Sequence, residues 1–76
     1  MYSVDDIKVG QFYDYTGSDN YTPEYMGLTL KAMCQTDQSR FMFLVVRANK
    51  WTQVSQKVEA HHNNVSRSTR CKVLNS

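Results

Sequence analysis

The sequence predicts a mainly β domain, a small five-stranded antiparallel barrel with a short helical turn at its N-terminus. Three observations carry this reading. Phe41-Met42-Phe43-Leu44-Val45-Val46 is an unbroken apolar run between Arg40 and Arg47, aromatic and β-branched, and far too short for a membrane helix. The segments on either side of it alternate apolar with polar residues. Short polar connections, rich in Asp, Asn and Ser, separate these segments as hairpin turns do. Seventy-six residues make a single domain, 1–76, near the lower size at which a core holds without staples. With 41% apolar and 12% aromatic residues, three Gly and one Pro, the composition is that of a globular chain and excludes a linker or disordered tail.

Ser3-Val4-Asp5-Asp6 has the form of a helix N-cap with acids in the first turn, and Gly10 follows too soon for more than a turn or two, which makes this a short lid. Adjacent Asp5 and Asp6 read as capping charges, not as a catalytic carboxylate pair. Phe12-Tyr13-Asp14-Tyr15-Thr16 is the first strand, with Tyr13 and Tyr15 on one face and Phe12 on the other. Gly17-Ser18-Asp19-Asn20 supplies a turn, and Tyr21-Thr22-Pro23-Glu24 continues as a loop because its proline cannot donate to a ladder. The second strand runs from about Tyr25 to Gln35 and turns Leu28, Leu30, Ala32 and Cys34 to the core, with Gly27 marking a bulge or sharp bend. Thr36-Asp37-Gln38-Ser39 joins it to the central strand as an antiparallel hairpin. Six apolar residues in succession predict that the central strand is covered on both faces.

Ala48-Asn49-Lys50 is a second hairpin turn in this reading, and residues 51–60 form the next strand. Val54, Val58 and Ala60 share one face of it, interrupted by Gln56, whereas Trp51, Val54, Ser55 and Val58 also fit a helical stripe. The short connection favours a strand. The alternative is an α+β domain with a helix at about residues 51–61. His61-His62-Asn63-Asn64 closes the segment, and Thr69 to Leu74 makes a short final strand.

The charge is unevenly placed. Residues 1–37 carry six acids against Lys8 and Lys31, and residues 38–76 carry seven bases against Glu59, within a net charge of +2. This asymmetry either survives as opposite patches or cancels across neighbouring strands. The acidic N-terminus lacks a signal-peptide pattern, so a cytoplasmic location is expected, with Cys34 and Cys71 reduced and buried. Cys34, Cys71, His61 and His62 have none of the spacings that preorganise a zinc site or a nucleophile pair, and the three glycines are too scattered for a phosphate loop. No cofactor, metal, membrane partner or small-molecule substrate is expected.

The constellation that does point to function is aromatic and basic. Tyr13, Tyr15, Tyr21, Tyr25 and Trp51, near Arg47 and Lys50, would form a ridge at one end of a barrel, a surface suited to holding a protein segment or stacking bases. The competing reading places Trp51 and two of the tyrosines in the core, which a barrel this small must fill with large side chains.

Phe12-Tyr13-Asp14-Tyr15-Thr16 resembles the ALYDY stretch that opens SH3 domains, and Trp51 is placed somewhat as their binding-groove tryptophan is. The Trp is not doubled, and no G-Y-[IF]-P-x-N-Y pattern stands at residues 65–74. The resemblance implies a small SH3-like barrel without implying recognition of proline-rich peptides. KOW and Tudor-type barrels look similar, with Lys8-Val9-Gly10 as the helical turn and glycine before the first strand; those relatives bind nucleic acid or protein. The expectation is a non-enzymatic binding protein that modulates or inhibits a larger protein by occupying its surface, as small accessory proteins of viruses and mobile elements do. The alternative is a nucleic-acid-binding module with Arg47, Lys50, Lys57, Arg67, Arg70 and Lys72 on phosphates.

Overall fold

A computed structural model describes residues 3–18 and 22–68. They form five antiparallel strands in one sheet: β1 (Phe12–Tyr15), β2 (Thr29–Gln35), β3 (Arg40–Arg47), β4 (Lys57–His61) and β5 (Val65–Arg67), in the order β4-β3-β2-β1-β5. The helical elements among the described residues are single 3-10 turns, Val4–Asp6, Pro23–Tyr25 and His62–Asn64, so the chain is mainly β and the helix at 51–61 does not form.

β4 and β5 stand at opposite ends of the ladder but are joined by the turn His62–Asn64 alone. In a flat sheet four strand spacings would part them by about 19 Å. A 3-10 turn rises only ~2 Å per residue and spans less than half of that. The sheet therefore curls enough to bring the end of β4 within one turn of the start of β5. The peptide N–H groups of Thr16 and Gly17 both donate to the Asn64 carbonyl, at 2.7 and 3.1 Å, and fasten the turn to the end of β1.

The concave face is the core. Tyr13, Tyr15, Leu28, Leu30, Ala32, Phe41, Phe43, Val45, Val58, Ala60 and Val65 are buried there, and Tyr13 meets Phe43 edge-on at 6.2 Å between ring centroids. The N-terminal turn closes one end as the expected lid. The Asp6 carboxylate accepts from both the backbone N–H and the hydroxyl of Ser3, Ile7 is buried, and the Tyr13 hydroxyl accepts from Lys8 N at 2.8 Å while donating to the Asp6 carbonyl. The hairpin at 36–39 forms as expected: Asp37 Oδ1 accepts from Ser39 N and Arg40 N, and its second oxygen pairs with Arg40 Nη1 at 3.0 Å.

Several expectations are corrected. The central strand is covered fully on one face only. Phe41, Phe43 and Val45 are buried, but Met42, Leu44 and Val46 are half-buried, because a curled single sheet has no second layer outside it. Lys31 and Lys57 stand directly opposite Leu44 on that outer face. Cys34 is exposed: the β2–β3 register shifts between Ala32 and Cys34, and one extra residue turns every following side chain to the other face. Gly27 is not inside a strand. It takes φ +83° in the turn after Pro23–Tyr25, and β2 starts only at Thr29. The connection after β3 is longer than three residues; it runs from Ala48 to Gln56 and takes φ +75° at Ser55, with Ser55 N donating to Val45 O and Val45 N to Gln56 O. Val54 is consequently out in the loop and not on the face of Val58 and Ala60. The final strand expected at 69–74 lies outside the described residues, whereas residues 65–67, to which the sequence reading assigns no element, form β5.

Candidate functional site

The loop from Ala48 to Gln56 is organised by one side chain. Asn49 Oδ1 accepts from the backbone N–H of both Trp51 and Thr52 at 2.8 Å, and Asn49 N donates to Thr52 O at 3.1 Å, which closes a tight turn. Its amide nitrogen donates to two carbonyls of another loop, Glu24 O and Met26 O, each at 2.7 Å. The hydroxyl of buried Thr52 adds a bond to Glu24 O at 3.0 Å. Five side-chain hydrogen bonds thus fold the 48–56 loop and lash it to the turn Pro23–Tyr25.

What this loop displays is apolar. Trp51 is 62% exposed and Val54 55% exposed. Lys50 Nζ lies 5.8 Å from the centroid of the indole, within cation–π range. Arg47 at the end of β3 and Lys57 at the start of β4 are exposed at the two feet of the loop. The aromatic ridge is otherwise dismantled. Tyr13 and Tyr15 are 2% and 4% exposed and fill the core, Tyr25 is half-buried with its ring edge-on to Tyr15 at 5.5 Å, and Tyr21 lies outside the described residues. Of the proposed binding set, Trp51 and Lys50 lie together at the surface, and Arg47 is exposed at the foot of the same loop.

Of the basic residues named for nucleic acid, Arg47, Lys50 and Lys57 belong to this loop or its feet. Arg67 is on β5, and Arg70 and Lys72 lie outside the described residues. His61 and His62 stack with ring centroids 4.4 Å apart, and His61 Nδ1 accepts from Asn63 N, which leaves Nε2 to carry the proton in the neutral ring. No group of three His, Cys, Asp or Glu side chains gathers into a metal-binding arrangement among the described residues. No helix among them is long and apolar enough to cross a membrane.

A polar cleft of about 150 Å³ lies where the end of β4 approaches the end of β1, lined in part by Tyr15, Tyr25, Arg40, Glu59, His61 and Asn64. Burial, and after it the neighbouring Glu24 carboxylate, pushes the Tyr25 phenol above its ordinary range. Sequence reasoning missed this cleft, which only the curl of the sheet assembles. It also missed Asn49, Thr52 and Val54. A signal for Asn49 was present, since Asn followed by a residue with a free N–H two positions on is the pattern of an Asx turn. Comparison with family models, with curated proteins and with solved structures finds no match.

Proposed function

We propose that this chain is a small SH3-like binding protein, not an enzyme, that modulates or inhibits a larger protein by occupying its surface through Trp51. The SH3-like part of this reading rests on the Phe12–Thr16 stretch and on a chain of five antiparallel strands in one sheet. The observation that carries the functional reading is the braced loop. A bulky indole held in water contributes nothing to the core, yet five hydrogen bonds fix the turn that presents it. Preorganisation of this kind reduces the entropy lost on binding, and Trp is the residue type most enriched among interface hot spots. Removal of most of the exposed indole surface from water is worth up to about 4 kcal/mol.

The test is affinity capture from nuclease-treated extract with the wild-type chain and with Trp51→Ala in parallel. One protein retained stoichiometrically by the wild type and lost by the folded variant supports the reading. Equal retention by both, or none by either, rejects it. The nucleic-acid alternative has less support. Sequence-tolerant single-strand binding needs successive aromatic platforms, and with Tyr13 and Tyr15 in the core the loop offers one.

A further inference from the structure

We infer that the surface Trp51 docks on is an apolar recess rimmed by carboxylates, so that the partner is recognised jointly by burial of the indole and by charge. This rests on the binding role proposed above. From Arg47 to Val58 the chain carries three cations, Arg47, Lys50 and Lys57, and no acid. All three are exposed, two at the feet of the loop and one over the indole itself.

Among the described residues none of the three is in a salt bridge. Glu24, on the turn to which the loop is lashed, is one carboxylate against three cations. Asp14 is two strands away from Arg47 across Thr29, and its Oδ1 already accepts the Thr29 hydroxyl at 3.0 Å. Glu59 stands opposite Met42, beyond Lys57. The loop that carries the apolar knob is therefore positive, with Lys50 over the indole and Arg47 and Lys57 at its two ends, and a partner that covers the loop meets these charges. Buried without counter-charges, the cations would oppose binding; faced by carboxylates they steer encounter and fix orientation. Lipid headgroups and nucleic-acid phosphates are also anionic. Val54, exposed in the same loop as Trp51, favours a protein, since a phosphate chain has no recess to receive an aliphatic side chain, and two apolar residues are a small anchor for a bilayer.

The test uses the full chain, immobilised and panned against a display library of small folded domains with randomised surfaces that can form recesses, with Trp51→Ala as the counter-selection. The expected binders depend on Trp51 and combine aromatic or aliphatic residues with flanking Asp and Glu. Their affinity should fall by about tenfold or more when Arg47, Lys50 and Lys57 are all replaced by Gln, and by a similar factor from low to physiological salt. Circular dichroism of the triple variant confirms that its fold is kept. Trp51-dependent binders without acidic enrichment, or insensitive to the triple replacement, overturn the inference and leave the binding role standing. Absence of any Trp51-dependent binder overturns both. Stronger Trp51-dependent retention of phosphatidylglycerol vesicles or of a single-stranded oligonucleotide overturns the choice of a protein partner.

Discussion

Replacement of Asn49 is the sharpest perturbation of the molecule. Asn49→Ala removes four side-chain hydrogen bonds of 2.7–2.8 Å, two that shape the 48–56 loop and two that hold it to the Glu24 and Met26 carbonyls. At about 0.5–1.5 kcal/mol net for each bond, with partial compensation by water, the loss is about 2–4 kcal/mol. A domain of this length is stable by roughly 4–11 kcal/mol, so the change is large. Asn49→Asp separates the two halves of the role. It keeps the acceptor for Trp51 N and Thr52 N but turns an oxygen on two carbonyls, and it should be no more stable than Asn49→Ala. Urea unfolding measures both variants, and amide exchange at Trp51 and Thr52 reports the turn itself. Stability within about 0.5 kcal/mol of wild type for Asn49→Ala, or full stability in Asn49→Asp, would refute the reasoning.

Further outcomes follow from other particular residues. Ser55 holds a left-handed backbone at φ +75°, where an L side chain costs about 1–2 kcal/mol, so Ser55→Gly should raise the urea midpoint; a lower midpoint would show that the Ser55 side chain does more than occupy its place in the loop. The N–H of Ser39, then the Arg40 side chain and N–H, hold the Asp37 carboxyl below its ordinary value of 3.8, and Ser3 does the same for Asp6. A folded pKa below the unfolded one stabilises fully above that ordinary value and loses its effect as pH falls through the folded one. Stability should therefore decline on acidification below about pH 4, and the double variant Asp6→Asn, Asp37→Asn should flatten that decline. Cys34 is exposed, so a thiol reagent should label it in the native protein, as peptide mapping would show; labelling only after unfolding would contradict the shifted β2–β3 register.

Local chemistry was legible in the sequence wherever it acts over a few residues. The Ser3 and Asp6 cap, the Asp37 turn, the β2–β3 hairpin and the inward set Leu28, Leu30 and Ala32 all follow from side chains that satisfy nearby backbone groups or alternate with the pleat. What failed depends on one-residue register or on curvature. A single bulge sends Cys34 outward with no change in the apolar pattern. The alternation through residues 51–60 looks like a strand although its first half is loop, because Asn49 binds the backbone at 51 and 52 before a ladder can claim it. The tyrosines show the same limit for the site. Tyr13 and Tyr15 were correctly placed on one face, but whether that face is core or surface is decided by which way the sheet curls. Trp51 was identified as a binding residue for its type, while the brace that makes it effective is formed with carbonyls about 25 residues earlier in the chain.

Because Trp51 is the single tryptophan of the chain, its fluorescence quenching by acrylamide reports directly on the proposed binding residue. The free protein should show efficient quenching and the emission of a solvated indole, and both should shift to those of a buried indole when the captured protein partner is added. A quenching-protected, blue-shifted tryptophan in the free protein, or an indole that stays fully accessible in the complex, would contradict a loop built to present Trp51 for binding.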